Sequence, residues 1–200
     1  MFILRKAILY TISPFARVAN KINWRIGRPY KSCFDTIQPY MEKLAPGMIV
    51  LSHKDYELTN WFISGHWTHV SVIASEREII EAVGQGVIKT PIRKFFSSVD
   101  DFMILEPTFC SRETMANAVK YMEKYIGYPY NFVFLQSEHA FTCIDLVYRA
   151  YSLSVKKADY NTLKLPGLFR YVSRDVIMPE SLLNLEGAWQ IVYKSLAETA

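Results

Sequence analysis

The chain has 200 residues, of which 50% are hydrophobic, 21% charged and 14% aromatic, with a formal net charge of +4. That composition excludes a disordered or collagen-like chain, and the length bounds the architecture at one domain, or one domain plus an arm. No apolar run approaches the roughly 20 residues of a membrane-spanning helix. Three cysteines (Cys33, Cys110 and Cys143) with no CxxC spacing fit neither a disulfide scaffold nor a zinc knuckle.

The charge is uneven. Residues 1–34 hold Arg5, Lys6, Arg17, Lys21, Arg25, Arg28 and Lys31 and no acid, giving +7 against −3 for the remainder. Ile8, Ile12, Phe15, Ala19 and Ile22 recur at helical spacing, divided by Pro14. A basic amphipathic helical arm over residues 1–40 is expected. Its apolar face suits an anionic membrane surface or another polyanion; it equally suits the protein's own domain or a protein partner. Ala7–Ile12 is short for a signal peptide, and Arg17 breaks the small-residue pattern before Ala19, so cleavage is not expected. Few aromatics interleave the basic residues and the body is acidic, so no nucleic-acid partner is expected. The localisation stays open among cytoplasmic, peripheral-membrane and assembly-associated.

A domain is expected over residues 41–200. A short helix around 35–44 ends at the Pro46-Gly47 turn. Strands are predicted at Met48–Ser52, His69–Ser75, Glu78–Val83, Val87–Thr90 and Asp101–Glu106, from β-branched and alternating apolar residues. A helix over Arg112–Ile126 is capped by Ser111 and stopped by Gly127. An aromatic loop, Tyr128–Phe132, precedes a helix from near Cys143 to about Leu153. Pro179 opens a short helix, and Trp189–Tyr193 is a last strand. This order reads as α+β, with a small antiparallel sheet packed against helices.

Cys143 stands between Thr142 and Ile144. Thr142 and Asp145 have the spacing of a capping box, which places the cysteine at the first helical position. Unsatisfied N–H groups and the helix dipole there favour a thiolate, and the same N–H groups can stabilise an oxyanion. The alternative is a small buried residue where a helix begins.

A hairpin centred on Ser75 sets His69 directly opposite Glu81, where a carboxylate can fix one imidazole tautomer. Val70, Val72, Ile80 and Ala82 then line the other face. The alternative is a cross-strand polar pair on a solvated surface. His66 is expected at a rim, and His53 and His139 at the surface, with His139 a second candidate base. His66, His69 and Glu81 have metal-ligand chemistry, but a thiolate–imidazole pair accounts for them with less, and no metal or cofactor is expected. Nucleophile, base and orienting acid together are the minimum for covalent acyl transfer.

Several strings carry a resemblance: Pro46–Ser52, Trp67-Thr68-His69-Val70, Ile79–Ala82, Gly127–Asn131 and Phe141–Val147. They resemble the YiiX/YaeF-like permuted papain-like hydrolases, circularly permuted relatives of the NlpC-type cell-wall peptidases. These share their motif order with the lecithin:retinol acyltransferase-like enzymes. The resemblance runs from about Leu44 to Ser195. It implies a circularly permuted papain-like fold, with Cys143 as nucleophile, His69 as base and Glu81 as orienter. Tyr130 in the aromatic loop, Trp67 and His66 are the expected substrate contacts. Two departures stand out: Ser71 where the group often has Gly, and Ile144-Asp145 where it usually has Ser-Glu. Ile144 would narrow or dry the pocket.

The function implied is a cysteine-dependent amidase or peptidase acting through a thioester, on peptidoglycan-type or other small peptide amides. Two alternatives remain: a lipid-directed acyl-ester or thioester enzyme at a membrane, and a non-catalytic virion or secretion-assembly component that keeps the fold.

Overall fold

The β-branched segments between residues 49 and 107 pair into one antiparallel sheet, bordered on one side by the last strand among the described residues. The computed structural model describes residues 29–31, 34–55, 65–132, 137–153, 160–163 and 174–194. The predicted arm lies outside the described residues as far as residue 28.

In chain order, a short helix α1 (Phe34–Ile37) runs into a 3-10 turn (Gln38–Lys43). Strands β1 (Ile49–His53), β2 (His69–Ile73), β3 (Glu78–Val83) and β4 (Gly86–Pro91) follow. Next come α2 (Ile92–Phe96), β5 (Asp101–Pro107), α3 (Arg112–Glu123) and α4 (Cys143–Ala150). A separate hairpin of β6 (Tyr160–Leu163) and β7 (Arg174–Ile177), a 3-10 turn (Pro179–Asn184) and β8 (Trp189–Lys194) complete the described residues. The main sheet has the order β4-β3-β2-β1-β5-β8. Helix α4 packs on β2 and β3, and α3 packs on α4 and β3.

Both faces of the central strands are buried. Val50, Ile73, Ile79, Phe102 and Ile104 lie on one face, and Leu51, Val70, Val72, Ile80 and Met103 on the other, all at or near zero exposure. This rules out the solvated face that would have made His69 and Glu81 an ordinary surface pair.

Local chemistry explains where the elements stop. Ser111 Oγ accepts the Thr114 N–H at 3.2 Å and caps α3. Met115, Ala118, Val119 and Met122 bury its apolar stripe. The helix ends at Glu123, short of the expected Ile126, because the chain turns away to pair with β4. Val87 N–H donates to Tyr128 O and Gly127 N–H to Val87 O, both at 2.8 Å. That strap covers an otherwise bare strand edge.

Two elements escaped the sequence pattern. Helix α2 is five residues long, too short for periodicity, yet its Ile92, Phe95 and Phe96 are fully buried at i, i+3, i+4. The β6–β7 hairpin pairs four-residue strands, too short for alternation to stand out, although the dipeptide Pro166-Gly167 between them is a turn signal in the sequence.

The Pro46-Gly47 turn ties the sheet to both long helices. Gly47 N–H donates to Ile73 O at 2.8 Å, and Gly47 O accepts the Tyr151 hydroxyl from the end of α4. Gly47 has φ +94°, and a Cβ there would lie 2.4 Å from the Met115 Cβ on α3. Strain and clash coincide, so Gly47→Ala is expected to cost about 2 kcal/mol or more, a fall in melting temperature of about 4–8 °C. Thermal unfolding checks this, and an unchanged melting temperature would contradict the close approach.

Candidate active site

The site forms where the N-terminus of α4 meets the β2–β3 hairpin. The capping box is present in both directions: Thr142 Oγ1 accepts the Asp145 N–H at 3.2 Å, and Asp145 Oδ2 accepts the Thr142 N–H at 3.4 Å. Cys143 is therefore the first residue of the helix, and it is buried. The first-turn N–H groups of Cys143 and Ile144 have no intrahelical acceptor. The aromatic loop holds this end in place. Asn131 N–H donates to Phe141 O at 3.0 Å and Phe141 N–H to Pro129 O at 3.1 Å, immediately before the cap.

His69 and Glu81 meet, though not by direct opposition. Glu81 faces Ser71 across the ladder, so the hairpin is centred on Glu76 and His69 stands two residues off register. Ala74 and Ser75 both donate to Glu78 O, so the loop takes four residues where a tight turn centred on Ser75 was expected. A shift of two keeps every side chain on its face, and a diagonal neighbour is within reach of long side chains. His69 Nε2–H donates to Glu81 Oε2 at 2.9 Å. Sequence reasoning missed Thr90, whose hydroxyl donates to Glu81 Oε1 at 2.5 Å. Its signal was register: Thr90 pairs with Ile79, one step along the same face.

Cys143 lies close enough to His69 to act on its charge. The imidazole side chain is 17% exposed and the Glu81 side chain 9%. Burial alone would drive His69 down, but the contacts with Cys143 and Glu81 outweigh it and push it up to about 9. Burial likewise opposes the Glu81 charge, and bonds from His69 and Thr90 still hold it below its ordinary 4.5. The arrangement favours a charged imidazolium beside an ionised carboxylate.

The expected substrate contacts divide. Tyr130 sits within electrostatic reach of Cys143 and Asp145, and burial followed by those charges pushes its phenol well above 10, so it stays a donor. His66 is exposed at 46%, with Nε2 2.6 Å from Asp101 Oδ2. Trp67, in contrast, is 4% exposed and packs edge-on to His66 at 4.6 Å, a core position that offers no surface to a substrate. His53 is only 16% exposed and stacks on His66 at 4.6 Å. His139 is exposed, as expected.

A family model described as "Permuted papain-like amidase enzyme, YaeF/YiiX, C92 family" matches residues 43–193. The chain belongs to the YaeF/YiiX family. It is thus a cysteine hydrolase of the papain-like amidase and peptidase kind, with the α+β fold expected of it. Among solved structures, YiiX from Escherichia coli O157:H7 is similar at 16% identity and a TM-score of 0.60, covering 75% of this chain and 97% of that one. That likeness concerns the fold. No curated protein matches. The Escherichia coli protein is described as a metalloprotein. Among the described residues of this YaeF/YiiX member, no group of three or more His, Cys, Asp or Glu is placed to hold a metal ion. The donor set does not fit one, and no step below passes through a metal. No helix among the described residues is long and apolar enough to cross a membrane.

The pKa directions fix a stability profile. A histidine raised on folding stabilises fully below its unfolded 6.5 and loses that contribution as pH rises towards about 9. A glutamate lowered on folding stabilises above its unfolded 4.5 and loses that contribution as pH falls below it. The pair therefore makes its full contribution between pH 4.5 and 6.5, and the melting temperature is expected to decline on either side. His69→Ala should flatten the alkaline decline. An identical alkaline decline in that variant would contradict the assignment.

Proposed function

We propose that the protein hydrolyses amide bonds in small peptides, of which peptidoglycan stem peptides are one class, with Cys143 as nucleophile. The observation that supports this best is His69 bonded to Glu81 and close enough to Cys143 to act on it, at the N-terminus of α4. The Cys143 thiolate attacks the carbonyl carbon, and the resulting oxyanion is met by the first-turn N–H groups of α4. His69 gives its proton to the leaving amine, and a thioester to Cys143 remains. Neutral His69 then takes a proton from water, whose oxygen attacks the thioester. The carboxylic acid leaves, and the proton returns the cysteine–histidine pair to its starting state.

Glu81 holds the imidazole in one orientation through both protonation states, and Thr90 fixes the carboxylate in turn. Tyr130, close to Cys143, and the exposed His66 are read as substrate contacts. Ile144, fully buried beside the nucleophile, keeps that wall apolar.

Amine release from a panel of acyl-amino-acid nitroanilides and soluble stem peptides tests this. Cys143→Ala is expected to lose at least about 10³-fold in kcat/KM. Glu81→Gln, which keeps a hydrogen-bonding group but removes the charge, should lose about 10²-fold, and Thr90→Val about fivefold. Full turnover by Cys143→Ala on the substrate accepted by the wild type would sink the mechanism.

A further inference from the structure

Beside the imidazole–carboxylate pair lie two hydroxyls that the mechanism above does not use. Ser52 and Ser71 are completely buried. Neither hydroxyl has a hydrogen-bond partner among the described residues. Their places in the sheet are specific. Ser52 on β1 stands directly opposite His69, and Ser71 on β2 stands directly opposite Glu81. Strand pleating puts Ser71 on the face of His69, two residues away, and cross-strand pairing puts Ser52 there too.

With Thr90, these residues form a polar stripe running diagonally from β1 to β4. The rest of that face, Val50, Ile73, Ile79, Phe102 and Ile104, is apolar and buried. A hydroxyl buried without a partner costs about 1–3 kcal/mol. Two such costs on the one patch of the face that holds the imidazole and the carboxylate call for a common explanation. The two serines are diagonal neighbours across β1 and β2, since Ser71 pairs with Val50 and Ser52 with His69. Diagonal neighbours are separated by about 7–8 Å at the backbone, a span suited to a bridging molecule rather than a direct bond between two short side chains. The carboxylate of Glu81 retains acceptor capacity, because His69 and Thr90 fill only two of its roughly four lone-pair sites.

We propose that Ser52 and Ser71 hold one buried water against the His69–Glu81 pair and act through it as positioning residues for the base. Such a water needs two to four polar partners. The two serine hydroxyls and a free lone pair of Glu81 supply three. The water donates to the carboxylate and keeps it turned towards Nε2 of His69 while the imidazole cycles between charged and neutral. The groups facing His69 are Glu81 from β3, Cys143 from α4 and the Phe95 ring of α2 at 6.5 Å. Thr90 and the charge of Lys54 act on Glu81, and Tyr130 senses Cys143.

The inference rests on Cys143 and His69 forming the reactive pair, and the experiment separates the two claims. Alkylation of Cys143 by iodoacetamide is followed against pH in the wild type, His69→Ala, Ser52→Ala, Ser71→Ala and the double serine variant. Cys33 and Cys110 are resolved by peptide mass spectrometry, and melting temperatures are recorded for each variant. Each single serine variant is expected to move the Cys143 profile up by about half a pH unit, about a threefold loss of rate on its rising limb. The double variant should be no slower than either single one, because one water serves both hydroxyls. Melting temperatures should fall, whereas removing an isolated buried hydroxyl would raise them. If His69→Ala slows Cys143 while the serine variants track the wild type, or if their effects add, the water is rejected and the reactive pair stands. If His69→Ala leaves Cys143 unchanged, the pair itself is rejected, and the water with it.

Discussion

The site depends on one imidazole engaged from both sides. Glu81 holds His69 from the sheet, and Cys143 meets it from a helix that joins the chain some 60 residues later. A charged imidazolium in so buried a place is tolerable only because both partners are present. Low polarity cuts both ways there: it strengthens the two contacts, and it would penalise any partner left alone. The position of α4 over β2 and β3 is therefore a functional constraint as well as a packing one.

Several features of the fold serve to fix that position. The capping box sets the first turn of α4, so Cys143 Sγ leaves the helix in a defined direction. The Asn131–Phe141 and Phe141–Pro129 bonds lash the preceding segment to the aromatic loop. At the other end, the Tyr151 hydroxyl reaches the Gly47 carbonyl, and Arg149 both donates to Ser137 O at 2.6 Å and lies over the Phe141 ring. Each such bond contributes only about 1 kcal/mol net to stability. Their larger effect is geometric, since proton transfer between thiol and imidazole tolerates displacement of no more than about 0.5 Å.

Much of this was legible in the residues. The alternation of His69–Ile73 and Glu78–Val83 announced strands, and Thr142-Cys143-Ile144-Asp145 announced a helix start with the thiol at its tip. Both depend on local chemistry, which a sequence displays directly. What was not legible depends on register and on distant contacts. The pairing of His69 with Glu81 survived an error of two residues only because a strand's faces alternate with period two; an error of one would have separated them. Thr90 was invisible because its importance comes from a third strand. Trp67 stood beside the histidine motif and read as a substrate contact, but the core claimed it. The truncation of α3 at Glu123 was set by hydrogen bonds to β4, which no helix-stop rule at Gly127 encodes.

The most direct test of the charged pair is an NMR titration of the His69 ring nitrogens in the wild type and in Cys143→Ala. The account predicts that wild-type His69 stays protonated until about pH 9, with Nε2 carrying a proton throughout, and that loss of the thiol moves the midpoint down. A His69 that titrates near 6.5 in both proteins would contradict it, and would leave Glu81, Thr90 and the tip of α4 as a structural polar cluster.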